Sequence, residues 1–300
     1  MERIKQALEK ARLERQKAGS SGQPYTPGAT GASGPVTYSQ TRTVGVAKNF
    51  LQEKRVISGI EQNAYTESYK ILRTQVLQRL REKGWNSLAI TSPGINEGKT
   101  LTAINLAISI AMEVDYSVLL VDADLRHPSV HTYFGFNAEK GLSDYLTADV
   151  PLSELLVHPE DIPRFVILPG GRSLTNSSEM LNSPKLVRLV DELKARYPSR
   201  IILFDLPPLL SAADALAFSP YVDAALMVIE EGKTQAQDAQ HAVGLLQGTS
   251  LIGTVLNKSF VNIPRKDGEF AEWLARIFEH LRSYAVSLKI RFSRLRWRKS

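Results

Sequence analysis

A lysine and a threonine follow a glycine-containing stretch at residues 91–100, which read TSPGINEGKT. Gly94 and Gly98 allow backbone N–H groups to turn toward one point, and amides that converge in this way bind phosphate oxygens. Lys99 can then reach the β- and γ-phosphates of a nucleotide, and the hydroxyl of Thr100 can bind Mg²⁺. These are the residue types of a phosphate-binding loop, although a Pro-Gly pair is also typical of a plain surface turn.

The spacing and the surroundings of this stretch favour the loop over the turn. The usual pattern is G-x-x-x-x-G-K-[ST], and the sequence departs from it because Pro93 replaces the first glycine. An apolar run, SLAIT, precedes the stretch and a helical pattern, TLTAINLAISIA, follows it, which is the strand–loop–helix context of such a site. The residues predicted to bind the nucleotide here are Gly94, Asn96, Glu97, Gly98, Lys99, Thr100 and Leu101.

Three aspartates follow two other apolar runs. Asp122 and Asp124 end SVLLVDAD, and Asp205 stands in RIILFDLPP. Alternate residues of a strand face the same side, so Asp122 and Asp124 can act together on a metal shell or a substrate hydroxyl. Asp205 has the position of an acid that holds Mg²⁺ through water. The alternative is that these aspartates only cap the turns that follow their strands.

The elements that must position these residues form an alternating pattern from residue 86 onward. Continuous apolar runs are typical of strands buried on both faces, and amphipathic stretches between them supply crossover helices. We therefore predict an α/β protein with a parallel central sheet flanked by helices and with helical N- and C-terminal extensions. The predicted strands are SLAIT, SVLLVDAD, RFVILPGG, RIILFDLPP, AALMVIEE and LIGTVLNK.

Composition excludes several classes of protein and suggests three regions. The 300 residues contain no cysteine, which excludes disulfides and cysteine-based zinc sites. No apolar run approaches the roughly 18 residues that span a bilayer, and the first residues lack a secretory signal, so we expect a cytoplasmic location. We predict a charged helix at 2–18 and a linker at 19–43 within an N-terminal region 1–45, a P-loop domain at 46–260, and a basic amphipathic helix at 261–300.

The motifs together resemble one family. TSPGINEGKTLTAINLA, VLLVDADLRHP, GLSDYL, ILPGG and LFDLPP are similar to motifs of the bacterial tyrosine kinases of polysaccharide export, especially the exosortase-associated tyrosine autokinases. The resemblance extends from about residue 61 to residue 258. It implies an ATP- and Mg²⁺-dependent tyrosine autokinase that regulates the biosynthesis or export of an extracellular polysaccharide.

The resemblance also implies roles for individual residues. One of Asp122 and Asp124 would serve Mg²⁺ and the other would activate the attacking tyrosine, while Thr100 and Asp205 complete the metal site. Asn257, in VLNK, becomes a candidate for adenine recognition.

Partners are implied as well. A ring-forming motif E-x-x-R-x-x-R is matched in part by Glu67, Lys70 and Arg73, where the lysine cannot form the bidentate contacts of arginine. The alternative for these three residues is an ordinary solvated helix face. The expected activator is a membrane-embedded chain-length determinant, also called a polysaccharide co-polymerase.

The tyrosines depart from the family pattern. Most of these kinases end in a tyrosine cluster, whereas the last forty residues here contain only Tyr284, which lies on an apolar helical stripe. Tyr25 and Tyr38 lie in the predicted linker and are the expected acceptors. The missing cluster leaves open a nucleotide-switched scaffold without kinase activity. A partition-type DNA-segregation ATPase is the least favoured alternative, because its loop usually has a lysine near its start and residues 91–97 have none.

The C-terminal segment carries the net charge. The formal charge of the chain is +6, and the last fifteen residues include Lys289, Arg291, Arg294 and three further bases without an acid. A terminal core helix and a nucleic-acid-binding tail are two interpretations of this segment. A helix lying on an anionic membrane surface accounts for both the bases and the apolar stripe, and it would place the protein at the inner face of the plasma membrane.

Overall fold

The computed structural model describes residues 41–58, 63–196, 199–246 and 248–259. The strands are β1 (Arg42–Val44), β2 (Ser87–Thr91), β3 (Ser117–Asp122), β4 (Val157–Pro159), β5 (Phe165–Leu168), β6 (Arg200–Asp205), β7 (Ala224–Glu230) and β8 (Ser250–Asn257). The α-helices are α1 (Lys48–Glu53), α2 (Ala64–Lys83), α3 (Lys99–Ala111), α4 (Val130–Phe134), α5 (Leu142–Ala148), α6 (Leu152–Leu155), α7 (Ser177–Leu181), α8 (Pro184–Arg196), α9 (Asp214–Phe218) and α10 (Ala236–Leu245).

The strands form one 8-stranded sheet in the order β1-β4-β5-β3-β6-β2-β7-β8. The six strands from β5 to β8 in this order are parallel to one another, and they are the six strands predicted from the apolar runs. The α/β prediction with a parallel central sheet flanked by helices is therefore confirmed. At one edge, β4 pairs with β5 in the antiparallel sense and β1 pairs with β4 in the parallel sense, so the sheet is mostly rather than wholly parallel.

Two apolar layers cover the sheet, one on each face. Leu88 and Ile90 of β2 pack with α2 and α3 on one face, whereas Ala89 between them packs with α5 and α8 on the other. All five residues of β2 are buried. Burial of both faces explains why the central strands are continuous apolar runs rather than alternating patterns.

Helix α3, which begins at the phosphate-binding loop, is enclosed by the rest of the protein. Its buried residues include Asn105, whose side chain accepts a hydrogen bond from the amide of Ile57 at 3.0 Å and donates to the carbonyl of Arg55 at 3.0 Å. The same amide nitrogen donates to the hydroxyl of Tyr65 at 2.9 Å. Asn105 thus connects the segment after α1 and the start of α2 to the helix that positions the loop.

The ordered core begins earlier than the predicted boundary at residue 46. Arg42–Val44 form β1, which pairs with Val157–Pro159, and the last residues of the predicted linker therefore belong to the edge of the sheet. A strand of three residues is too short to produce a periodic pattern, which is why the sequence did not reveal β1 or β4.

Several predictions concern residues that lie outside the described ranges. They include the helix at 2–18, most of the linker, the tyrosines Tyr25, Tyr38 and Tyr284, and the basic segment 261–300. Among the described helices, none combines the length and the apolar character that crossing a membrane requires.

Candidate functional site

The carboxyl ends of three neighbouring strands place the predicted site residues together. In the sheet β6 lies between β3 and β2, so Asp122 is opposite Asp205 and Asp205 is opposite Ile90. The phosphate-binding loop leaves β2 after Thr91, and α3 begins at Lys99. Ligands of open α/β sheets bind at this edge, outside the carboxyl ends of the strands.

The loop backbone is left-handed at Gly98 but not at Gly94, whose amide donates to Oε2 of Glu97 at 3.0 Å and is therefore not free for a phosphate. Gly98 has φ 92°, and a Cβ atom at this position would lie 2.0 Å from Nδ2 of Asn257, so only glycine fits. Asn96 also has a positive φ, 61°, which asparagine tolerates better than most residues. The amides of residues 95–100 donate to no acceptor in the described part of the chain, and they precede or begin a helix. Free amides at a helix N-terminus are suited to bind an anion.

Pro93 does not weaken this loop. Its φ is not positive, so the position requires no glycine. The carbonyl of Pro93 accepts the amide of Leu210 at 3.1 Å, and the carbonyl of Ser92 accepts the amide of Leu209 at 2.8 Å. The start of the loop is therefore fixed to the segment after β6 through carbonyl groups, which proline retains.

Lys99 lies among the carboxylates that the sequence singled out. Its Nζ is 2.9 Å from Oδ2 of Asp124 and 3.7 Å from Oδ1 of Asp205. The hydroxyl of Thr100 donates to Oδ2 of Asp205 at 2.7 Å. Asp124 follows β3 and Asp205 ends β6, so the parallel pairing of these two strands brings the two acids to the same side of Lys99.

Burial and neighbouring charge change the pKa values at this site. Burial raises the pKa of Asp122, and the negative charge of Asp205 raises it further. Burial also raises the pKa of Asp205, although Lys99 opposes this effect. For Lys99, burial acts against the charged form, but the carboxylates of Asp205 and Asp124 outweigh it and the pKa is raised. The site thus contains one cation, Lys99, among several carboxylates. Further positive charge would stabilise the ionised form of these carboxylates.

Two buried carboxylate oxygens of the site have no hydrogen-bond partner within the described part of the chain. They are Oδ1 of Asp122 and Oδ1 of Asp205. A buried acceptor without a partner is costly, and such oxygens are the ligands or second-layer partners that Mg²⁺ prefers. No group of three or more His, Cys, Asp or Glu that could hold a metal occurs among the described residues. The two aspartate oxygens and the hydroxyl of Thr100 are donors that fit Mg²⁺, which is usually held by one or two protein oxygens, water and substrate phosphates.

The capping alternative is correct for one carboxylate oxygen of Asp122 and one of Asp124, whereas the side chain of Asp205 accepts the hydroxyl of Thr100. Oδ2 of Asp122 accepts the amides of Ser129 at 2.8 Å and Val130 at 3.0 Å. Oδ1 of Asp124 accepts the amide of His127 at 3.1 Å. These bonds hold the turn after β3, while the other oxygen of Asp122 stays without a partner and that of Asp124 binds Lys99.

Asn257, at the end of β8, lies behind the loop. Its Nδ2 donates to the carbonyl of Glu97 at 2.8 Å. The structure thus places the predicted adenine-binding residue against the loop, with its amide nitrogen already used. Within the described ranges, its Oδ1 accepts no hydrogen bond.

The residues proposed to form a ring lie on α2, away from the loop. Lys70 pairs with Glu67 at 3.1 Å on an exposed face. Arg73 instead donates to the carbonyl of Ser109 at 3.0 Å and pairs with Glu113 at 2.7 Å. Arg73 therefore already binds the C-terminal end of α3.

Sequence reasoning missed several residues around the site. Thr234 and Lys258 contact the loop; Thr234 follows one predicted strand and Lys258 ends another, so the rule for carboxyl ends of strands could have indicated them. Arg126, two residues after Asp124, donates from Nε to both carboxylate oxygens of buried Asp214 at 3.0 and 2.8 Å.

The chain is similar to known proteins over this core. The AAA domain family matches residues 94–247. The tyrosine-protein kinase YwqD of Bacillus subtilis is 34% identical over 194 residues, which cover 64% of this chain and 80% of YwqD. The tyrosine-protein kinase ptk of Acinetobacter johnsonii is 30% identical over 64% of this chain, and the match spans only 26% of that longer protein.

A solved structure of a kinase domain is also similar to this chain. The kinase domain of VpsO is 30% identical, with a TM-score of 0.59, and the match covers 65% of this chain and 96% of that domain. The P-loop, the paired aspartates and the sheet that positions them thus occur together in a chain that is similar in sequence and fold to tyrosine kinases. The chain belongs to the bacterial tyrosine kinases, whose core is a nucleotide-binding P-loop domain of the AAA type.

Proposed function

We propose that this chain is an ATP-dependent protein-tyrosine autokinase that regulates the biosynthesis or export of an extracellular polysaccharide. The observation that carries the proposal is the position of Lys99, whose Nζ lies 2.9 Å from Asp124 and 3.7 Å from Asp205 beside the free amides of the loop. The family membership supports the reaction type. The test is phosphotyrosine mapping by mass spectrometry after incubation with ATP and Mg²⁺, with a Lys99→Met variant for comparison.

The residues have distinct roles in this proposal. The loop amides and Lys99 bind the phosphates, and Asp124, released from Lys99 when phosphate arrives, accepts the proton of the tyrosine hydroxyl. The tyrosine oxygen then forms a bond to the γ-phosphorus as the bond to the ADP oxygen breaks. Thr100, Asp122 and Asp205 would hold Mg²⁺, which supplies neutralisation of phosphate charge. Such transfers depend mainly on positioning and charge stabilisation.

Recognition of the base is assigned to Asn257. Its side-chain oxygen is available for the amino group of adenine while its Nδ2 holds the carbonyl of Glu97. The side chain of Asn257 would then bind both the adenine of the nucleotide and the backbone of the loop.

Autophosphorylation is expected at Tyr25 or Tyr38 and not at Tyr284. The segment that contains Tyr25 and Tyr38 has the composition of a linker, so it can reach a neighbour's site at little free-energy cost. Tyr284 falls on the apolar stripe that the sequence predicts for the C-terminal helix, which makes it a less accessible acceptor than a linker tyrosine. Peptide mapping by mass spectrometry locates the phosphate, and Tyr25→Phe and Tyr38→Phe variants provide the control. Phosphate mainly on Tyr284 would contradict this expectation.

We propose three regions: an N-terminal extension at 1–45, whose residues Arg42–Val44 add the edge strand β1 to the sheet, the kinase domain at 46–260 and a C-terminal extension at 261–300. A membrane-embedded chain-length determinant is the proposed activator, and self-association into a ring is proposed through Glu67, Lys70 and Arg73. The exposed pair of Lys70 and Glu67 is compatible with this surface, whereas Arg73 would have to leave Glu113 or bind a neighbour from its present position.

The basic segment is proposed to bind anionic lipid and to hold the kinase peripherally at the inner face of the plasma membrane. The purified protein should bind vesicles that contain anionic lipid, because each base near such a surface contributes on the order of 1 kcal/mol. Binding should weaken as salt rises, and removal of residues 286–300 should abolish it. Co-sedimentation with vesicles measures this, and neutral vesicles are the control. Equal binding to neutral vesicles, or binding after the deletion, would exclude this role.

A nucleotide-switched scaffold is the second candidate. Its basis is that residues 261–300 contain a single tyrosine, Tyr284, whereas the family membership favours the kinase. The same mapping experiment separates the two functions, because a scaffold binds ATP and contains no phosphotyrosine after incubation.

A further inference from the structure

The carboxylate of Glu97 lies inside the protein, beneath the phosphate-binding loop to which it belongs. Its residue is only 4% exposed. Oε2 accepts the amide of Gly94 at 3.0 Å, and Oε1 accepts the hydroxyl of Thr234 at 2.5 Å. A buried carboxylate requires such partners, because a charge that loses them in a low-dielectric site is costly.

Thr234 is held in place by the strand that precedes it. Its Oγ1 accepts the amide of Glu230 at 2.8 Å, and its own amide donates to the carbonyl of Glu230 at 3.1 Å. Because a carboxylate oxygen can only accept, the hydroxyl of Thr234 donates its hydrogen to Glu97. The segment between β7 and α10 thus determines where the carboxylate of Glu97 lies.

Two contacts from the end of β8 hold the same part of the loop. Nδ2 of Asn257 donates to the carbonyl of Glu97 at 2.8 Å, and Nζ of Lys258 donates to the carbonyl of Asn96 at 2.8 Å. Both carbonyls are thereby bound at the carboxyl end of β8, and neither contact uses an amide of the loop. Lys258 is in turn paired with Glu230 at 3.0 Å, so the ends of β7 and β8 form one support.

The hydrogen bonds divide the loop into two parts. The amide of Gly94 is occupied by Glu97, whereas the amides of residues 95–100 have no acceptor in the described chain. The contacts from Glu97, Asn257 and Lys258 therefore hold the loop without using the amides of residues 95–100. Preorganised donors of this kind bind an anion without reorganisation when it arrives.

We propose that Thr234 is a positioning residue for nucleotide binding, which acts through the carboxylate of Glu97 to keep the phosphate-binding loop in its anion-binding conformation. The inference rests on the proposed nucleotide site. It assigns a role in phosphate affinity to a residue that is 137 positions from Glu97 in sequence.

The test is the affinity for ADP, which requires no turnover, measured by titration calorimetry. Thr234→Val keeps the shape of the side chain but removes the hydroxyl, and we expect about tenfold weaker ADP binding because a hydrogen bond to a buried charge is lost. Thr234→Ser should restore the affinity to within about twofold, since serine keeps the hydroxyl. Combining Thr234→Val with Glu97→Ala should cost less than the sum of the two single changes, because the residues act as a unit.

Thr249→Val is the matched control. The hydroxyl of Thr249 donates to the carbonyl of Ser219 at 2.8 Å, at the opposite end of β8 from the loop. We expect this variant to lose thermal stability to a similar extent as Thr234→Val and to bind ADP like the unchanged protein.

Three outcomes would overturn the inference. They are unchanged ADP affinity in Thr234→Val, no recovery in Thr234→Ser, and additive effects in the double variant. If the unchanged protein itself does not bind ADP, the proposed nucleotide site fails and this inference fails with it, whereas the first three outcomes leave the nucleotide site intact.

Discussion

Replacement of Lys99 by methionine is expected to lower phosphoryl transfer by a factor of about 10³. The lysine is the cation of the loop, and its Nζ contacts Asp124 at 2.9 Å in a buried site. Methionine has a similar length but no charge, so the γ-phosphoryl group would lose its protein cation beside three carboxylates. Phosphotyrosine formation and ADP release measure the loss.

The fold should survive this change, because the pKa values of Asp122 and Asp205 are already raised and these acids can take up protons when the cation is absent. Circular dichroism verifies this. Lys194→Met is the matched control, since Lys194 pairs with Asp223 at 2.5 Å near the amino ends of the strands. Transfer at the unchanged rate in Lys99→Met would show that this loop does not bind the phosphates.

Asp205→Asn is expected to lower Mg²⁺-dependent transfer by about 10- to 100-fold, the usual effect of removing a partner of a metal site. Binding of ADP without metal should change by less than about threefold, because asparagine can still accept the hydroxyl of Thr100. The basis is the 2.7 Å contact with Thr100 and the unsatisfied Oδ1 of Asp205. Kinetics over a range of Mg²⁺ concentrations, and calorimetry with a chelator, give the two values.

A second aspartate serves as the control for this substitution. Asp223 accepts the amides of Asn86 at 3.1 Å and Ser87 at 3.0 Å before β7 begins. Asp223→Asn should lower stability without changing the dependence on Mg²⁺. If Asp205→Asn loses nucleotide binding equally with and without Mg²⁺, Asp205 is a structural cap and not part of a metal site.

Most of the fold could be predicted from the sequence, because strands that are buried on both faces appear in it as continuous apolar runs. The six central strands are apolar on both faces, and β2 shows this directly, with Leu88 and Ala89 in different layers. The short edge strands could not be predicted, since three residues such as Arg42–Val44 show no hydrophobic periodicity. Their conformation depends on pairing with Val157–Pro159. The sense in which β4 pairs with β5 follows from tertiary packing and has no local signature.

The candidate site was predictable to the extent that its residues follow strands. Lys99, Asp122 and Asp205 lie together because neighbouring parallel strands end at one edge. The hydrogen bonds of other predicted residues could not be predicted. Only the structure shows that the carboxylate of Glu97 lies beneath the loop and that the guanidinium of Arg73 donates to the carbonyl of Ser109. Both contacts depend on side-chain directions and on distant residues, which a motif does not encode.

The order of the strands also determines when the site comes into existence. Thr100 and Asp205, which share a hydrogen bond, are 105 positions apart, and β6 must enter between β2 and β3 before they meet. Closure of such distant contacts is slow because the loop entropy must be overcome first. During synthesis, a chain that has exposed α3 but not yet β6 has the loop and no acid opposite Thr100. The site therefore cannot form before β6 has paired with β2 and β3, and an intact site reports that these three strands are in place.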